Sequence, residues 1–167
     1  MHQAVLDYVG SQFHSWKADQ PEQKFRILEF GSLDINGSVR SVLQHMSLEY
    51  VGVDVQSGPG VDVTGNAATF DSPARFDVIV CAEVFEHTPA WREIIVNSHR
   101  LLRDGGIFIA TMAGEGRAPH SAIDENPIRD WEYYDNVGEW ELSRAMRIFS
   151  RFSVSRLGTD IRAVGVR

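Results

Sequence analysis

A single cysteine, Cys81, is the whole thiol content of this 167-residue chain. That excludes an internal disulfide and a cysteine-rich zinc site. Cys81 also falls inside a buried-strand pattern, which makes it an inert hydrophobe rather than a nucleophile. Positive charge is scarce: the net charge of −7 argues against broad, sequence-independent adhesion to nucleic acid, so a nucleic-acid partner is not expected. Long apolar runs are missing as well. The longest, "VIVCAEVF" (78–85), is far too short to cross a bilayer, so no membrane association is expected. No basic segment followed by an apolar one opens the chain, so a secretory signal is not expected and the chain reads as cytoplasmic. There is no internal repeat and no low-complexity stretch. His2, His14, His45 and His99 fall on predicted helices without an acidic or cysteine partner at metal-ligand spacing, so no metal site is expected.

What is present is an alternating pattern of helix and strand in a length that fits one domain, 1–167. Val5, Val9, Phe13 and Trp16 share a helical stripe in an N-terminal helix over 1–17. "FRILEF" (25–30) reads as a first strand, 37–46 as a helix with Asn36 or Ser38 near its cap, 49–55 as a second strand and 60–64 as a short third. "FDVIVCA" (76–82) is a continuous apolar run, as in a strand buried on both faces. Thr88 as cap and Pro89 at the first position open a helix that "RDGG" (103–106) ends, and 107–112 is a fifth strand. A helix over 139–149 precedes two strands, 151–157 and 160–166, close enough to pair as a hairpin. The order predicts a three-layer α/β open sheet, mostly parallel, with helices on both faces.

In such sheets ligands bind beyond the carboxyl ends of the strands. Glu29 and Gly31 end the first strand, Asp54 the second, Asn66 and Ala67 follow the third, and Ala82 and Glu83 the fourth. Asp54 lies 25 residues after Glu29, near the offset at which an acid takes ribose hydroxyls, and the Asn66 amide suits an adenine edge. Leu33 stands where a dinucleotide loop would have its second glycine, and the Glu29 carboxylate would repel a pyrophosphate but attract an ammonium. A nucleoside with a cationic tail meets these demands, and S-adenosyl-L-methionine is such a ligand. Each acid has a plainer reading: Glu29 as a helix-capping acid, Asp54 and Asn66 as turn residues.

"LEFGSLDINGS", "YVGVDV", "TGNAATF", "FDVIVCAEVFEHTP" and "LLRDGGIFIAT" occur in the order and spacing of five motifs of the class I S-adenosylmethionine-dependent methyltransferases, which the chain resembles, especially their small single-domain type 11 group. The sequence departs from the family pattern at Leu33, Ile35 and Asn66. The resemblance implies a Rossmann-like sheet of seven strands with the last one antiparallel, and S-adenosyl-L-homocysteine as the product. It implies a donor site of Glu29, Gly31, Ser32, Asn36, Asp54, Val55, Asn66, Ala67, Ala82 and Glu83. His87, after the fourth strand, is then placed to accept a proton from the acceptor, or else to bond backbone amides.

Residues 113–137 show no sustained period, and a stretch that long in a compact domain is usually functional or disordered. Its aromatics argue against a solvated linker. It reads as a lid insertion carrying a second candidate base, His120, and acceptor-binding residues Arg117, Asp124, Trp131, Tyr133 and Tyr134; the alternative is a loop packing its aromatics under itself. The expected acceptor is a small molecule or sugar-like compound methylated on O or N. Rival readings are a nicotinamide-dependent oxidoreductase, a nucleoside-binding module without catalysis, and a nucleic-acid methyltransferase using the six arginines between Arg144 and Arg167, where Asp160 is the one acid. The bland reading of those arginines is solvated faces of the last helix and strands.

Overall fold

The computed structural model describes residues 3–124 and 126–167, so the expected helical place of His2 lies outside the described residues. Five strands that read as buried or alternating runs form the parallel core of one sheet: β1 (Phe25–Phe30), β2 (Ser47–Asp54), β3 (Val63–Thr64), β4 (Phe76–Ala82) and β5 (Leu102–Ala113). β6 (Arg151–Leu157) and β7 (Asp160–Val166) follow as a hairpin. The sheet has seven strands in the order β3-β2-β1-β4-β5-β7-β6. β7 runs antiparallel to both neighbours, so the reversed last strand is present.

Helices cover both faces. α1 (Gln3–Lys17) and α2 (Arg40–Leu43) pack Val5, Val9, Phe13, Trp16 and Leu43, together with Val39 just ahead of α2, on Phe25, Ile27, Val78, Val80 and Ile109. α3 (Trp91–Leu101) and α4 (Glu139–Ala145) bury Ile94, Ile95, Leu101 and Leu142 on Leu28, Phe30, Ile79 and Phe108 across the other face. Alternate residues of β1 therefore face opposite cores, as the two-residue strand period requires. Each large apolar side chain so buried contributes roughly 1.5–3 kcal/mol before entropy is counted. No helix among the described residues is long and apolar enough to cross a membrane.

Several boundaries differ from the sequence reading for local reasons. The helix expected over 37–46 starts at Arg40 and tightens into a 3₁₀ turn over Gln44–Met46. Gly37 is left-handed (φ 111°) and the Ser38 hydroxyl accepts the Arg40 N–H at 3.0 Å, which delays helix entry. The third strand shrinks to two residues, because Asp62 turns its carboxylate to the Gly52 N–H (2.6 Å) and to Arg40. α4 gives way at Met146 to a 3₁₀ turn, Met146–Ile148, short of the expected end at 149. Finally, "RDGG" does not stop the helix. α3 ends at Leu101 and β5 begins directly, with Gly105 (φ 76°) inside a bulge where Phe76 pairs with Leu102 but Val78 with Ile107. The helix start also moves: Thr88 caps the turn ahead of α3 by accepting the Ala90 N–H at 3.2 Å, and α3 itself begins at Trp91.

Candidate active site

The carboxyl ends of β1, β2 and β4 and the loop after β3 open onto a cavity of about 550 Å³, within the usual size of a small-ligand site. The end nearest β1, β2 and β3 is built by backbone. Gly31 (φ 75°) lets the chain turn off β1 where any Cβ would meet Val84 Cγ2 at 2.1 Å, so both conformation and space demand glycine. The Gly31 and Ser32 N–H groups donate to the Val53 carbonyl at 2.9 and 3.3 Å. Asp54 ends β2 and its carboxylate accepts the N–H of Leu33 (3.2 Å) and of Gln56 (3.0 Å), tying the two loops together at the cavity wall. Leu33 lies against Gly58, where a Cβ would meet its Cδ1 at 2.5 Å, so the β2–β3 loop folds over the leucine that replaces a glycine.

Asn66 makes an Asx turn, its Oδ1 accepting the Ala68 N–H at 2.9 Å. That loop is held from α3: the Asn97 amide donates to the carbonyls of Ala67 (2.8 Å) and Phe70 (2.9 Å). Glu83 is the one non-glycine residue with positive φ (56°) among the described residues. Its backbone N–H donates to the Thr111 carbonyl and its carboxylate accepts the Thr111 hydroxyl, both at 2.8 Å, which holds the strained turn at the cavity edge.

Gly31, Asn36, Asp54, Val55, Asn66, Ala67, Ala82, Glu83, His87, Arg117 and His120 all line this one cavity. The structure places the other residues singled out by sequence elsewhere. Ser32 is buried behind the wall. Glu29 is also buried, 2% exposed, and faces β2 and α2: its carboxylate accepts the Tyr50 hydroxyl at 2.7 Å and the Ser38 hydroxyl at 3.2 Å. Burial pushes the Glu29 carboxyl up to about 7 against the lowering effect of those two hydroxyls. Asp124 is paired with Arg129, while Trp131 (71% exposed) and Tyr133 (41%) stand out in solvent. Among the lining residues not singled out as site residues from the sequence are Gln56, Val84, Thr88, Ile94, Ala118, Pro119, Ser121 and Ala122. Val84 and Thr88 lie inside the "FDVIVCAEVFEHTP" segment, no motif marks Gln56 or Ile94, and the one signal for 118–122 was the aperiodic stretch that contains it.

The far end of the cavity is made by side chains. After β4 the chain makes a 3₁₀ turn, Phe85–His87, that presents Glu86 and His87 toward the segment between β5 and α4. Glu86 is fully buried, and one oxygen accepts the Ala113 N–H at 3.1 Å. Burial, then the Glu83 charge, push its carboxyl up. The rings of His87, His120 and Tyr134 meet edge-on in a triangle, with centroids 5.0, 5.1 and 5.4 Å apart. Burial, then His120, lower the His87 imidazole to about 4, so it stays neutral at physiological pH. The segment that carries His120 is pinned at both ends: Gly114 N–H to the Thr159 carbonyl (2.7 Å), Asp135 N–H to the Glu86 carbonyl (2.9 Å) and Val137 N–H to the Ala113 carbonyl (3.0 Å). Arg117 forms an ion pair with Asp160 at 2.6 Å. Within the segment Arg129 gathers Asp124, Glu132 and Ser121 into a polar knot.

Residues 8–165 match the family described as "Methyltransferase domain". Curated relatives include the ubiquinone biosynthesis O-methyltransferases of Pseudomonas aeruginosa, 36% identical over 62 residues (35% of this chain), and of Azotobacter vinelandii, 37% over 73 residues (41% of this chain). The matched segments span only 27% and 32% of those proteins' length. Among solved structures, the 1,6-didemethyltoxoflavin-N1-methyltransferase of Burkholderia thailandensis, bound to 1,6-didemethyltoxoflavin and S-adenosylhomocysteine, superposes with TM-score 0.71 at 18% identity, covering 99% of this chain and 79% of that one. An amino pentose methyltransferase from Micromonospora echinaspora, with bound S-adenosylmethionine, gives 0.66 at 14% identity, over 98% and 92%. At such identities these structures speak to the fold.

Proposed function

Because the chain belongs to the methyltransferase domain family, we propose that it moves a methyl group from S-adenosylmethionine to an oxygen or nitrogen of a small-molecule or sugar-like acceptor. The observation that carries this reading is one cavity at the strand ends, walled by Gly31, Asp54, Asn66 and Glu83 at one end and by the imidazoles of His87 and His120 at the other. The donor end fits the cofactor. Its acids, Asp54 and Glu83, suit ribose hydroxyls and a cationic tail, its wall is apolar at Leu33, Ile35, Val53 and Val55, and Leu33 closes the approach a pyrophosphate needs.

The sulfonium supplies an already activated methyl group, so the chain's task is to hold the acceptor atom in line, roughly 3–3.5 Å from the methyl carbon. Residues 117–122 lie over the acceptor end, and we read 113–137 as the lid of a single domain. A hydroxyl acceptor also has to lose a proton. His87 and His120 stand where it would be lost, although the depressed proton affinity of His87 makes that ring a weak base by itself. None of the six arginines between Arg144 and Arg167 lines the cavity. Several serve the fold: Arg156 donates to the Gly158 and Glu115 carbonyls, Arg162 lies over the Tyr8 ring, and Arg167 donates to the Arg100 and Leu102 carbonyls. This favours the small acceptor over nucleic acid.

Calorimetry with S-adenosylhomocysteine and with NAD tests the reading: the first binds and the second does not. Asp54→Ala weakens the first by about 2 kcal/mol, the worth of a charged hydrogen bond. Asp54→Asn keeps an oxygen for the loop amides and separates the lost ribose contact from a loosened loop. Binding of NAD in preference, or an unchanged affinity in Asp54→Ala, would overturn the assignment.

A further inference from the structure

The acceptor end of the cavity holds more unsatisfied polarity than a proton acceptor needs. Glu86, His87 and His120 each offer one ligand atom, and the three atoms lie within 4.8 Å of one another. The second oxygen of Glu86, Oε2, is buried with no hydrogen-bond partner, and so are His87 Nδ1 and the Tyr134 hydroxyl beside it. A buried polar oxygen without a partner costs free energy in an apolar setting, and a folded protein rarely leaves several such groups together without something to satisfy them. The remaining bonds prepare the donors. Glu86 is steadied by the Ala113 N–H on its other oxygen, and His120 Nδ1 lies 3.2 Å from the Ala118 carbonyl, which leaves Nε2 as the lone-pair nitrogen when Nδ1 carries the proton. Two imidazoles and one carboxylate with room for further ligands match what borderline divalent ions take, whereas magnesium and calcium want all-oxygen sets.

We propose that Glu86, His87 and His120 bind one divalent transition-metal ion at the acceptor end of the cavity. The assignment of an acceptor role to that ion rests on the methyltransferase reading above. The acceptor is then a hydroxyl compound whose oxygen adds to the ion's coordination sphere. Like a metal-coordinated water, that hydroxyl loses its proton to solvent near neutral pH. Its oxygen attacks the methyl carbon, the carbon–sulfur bond breaks, and the bonding pair leaves on sulfur as a neutral thioether. His87 and His120 act as ligands in this scheme and no separate base is required. The sequence signal was present but split: "EH" at 86–87 and a lone histidine 33 positions later, joined only when the lid folds over β4's end.

The test uses the full chain stripped with a chelator and titrated with Zn²⁺ and, separately, Co²⁺. We expect one ion per chain at micromolar affinity or tighter, with Co²⁺ giving the visible absorption bands of nitrogen ligation. His87→Ala, His120→Ala and Glu86→Gln should each weaken binding on the order of 100-fold, while His45→Ala leaves it unchanged. His120 sits in a loop, so His120→Ala keeps the test decisive if the buried Glu86→Gln fails to fold. Affinity only in the millimolar range, equal affinity in the three variants, or Mg²⁺ binding as tightly as Zn²⁺ would overturn the proposal. S-adenosylhomocysteine calorimetry on the stripped chain keeps the two readings apart. Donor binding without ion binding removes the metal alone, and ion binding without donor binding removes the methyltransferase reading.

Discussion

The two ends of the cavity are built from different materials. The end we assign to the donor is mostly main chain: the Gly31 turn, the loop amides gathered by Asp54, and the Asx turn at Asn66 held from α3. Its components lie within a few residues of strand ends, and hydrogen bonds to backbone fix them before any ligand arrives. The acceptor end is mostly side chain: Glu86 and His87 from one turn, His120 and Tyr134 from a segment without regular structure. There, buried polar atoms stand without partners, whereas most at the donor end have them. A main-chain site serves a ligand shared across a family. A side-chain site under a loop is where one member differs from another.

Perturbing the donor end should cost most. Gly31→Ala forces a Cβ into Val84 at a left-handed turn, and the combined clash and strain should destabilise the chain by about 2–4 kcal/mol. Denaturant melts measure this, and donor binding should fall with it. A loss below about 1 kcal/mol would mean that the turn relaxes freely.

The next largest effect is a gain. Glu29 has its folded carboxyl raised to about 7 from an ordinary value of 4.5, so between those pH values the folded state holds the proton more tightly than the unfolded chain. Its stabilising contribution is therefore present at low pH and is lost as pH rises through 7. Glu29→Gln should remove this slope and raise stability at pH 8 by on the order of 2–3 kcal/mol, provided the amide keeps the Tyr50 and Ser38 bonds. Urea melts of both proteins from pH 5 to 8 check it. If the two stability curves stay parallel, Glu29 is ionised at all those pH values.

Asn97→Ala removes two bonds to the loop that carries Asn66 and should cost about 1–2 kcal/mol of stability, with a weaker donor site. At the lid, Arg129→Met unties the Asp124–Glu132–Ser121 knot. It should speed proteolysis within 118–132 several-fold while S-adenosylhomocysteine affinity holds. Trp131→Ala, at a side chain 71% exposed, should change stability by less than about 0.5 kcal/mol. A coupled fall in donor affinity from either lid variant would erase the distinction between the two ends.

Much of the donor end was legible in the sequence because each part is local. A strand followed by glycine, or an acid closing an alternating run, can be read in a window of a few residues. Even there, Glu29 shows the limit. It ends β1 in the right place, yet the pleat turns it toward Tyr50 and Ser38, away from the residues that line the cavity. A strand's parity assigns a face, but which face meets the ligand depends on what covers each one. The lid aromatics show the same limit in an irregular segment: only Tyr134 reaches the imidazoles, while Trp131 and Tyr133 stay in solvent.

Sequence by itself determined the strand-and-helix order, the terminal hairpin and the glycine turn at 31, since periodicity and φ preference act over neighbouring residues. Tertiary structure alone decided that Glu86 and His87 meet His120 and Tyr134, and that Asn97 holds the loop of Asn66. Those contacts span up to 47 positions in the chain, from His87 to Tyr134, and no local preference encodes a distance that only the closing of the sheet and its covering loop can set.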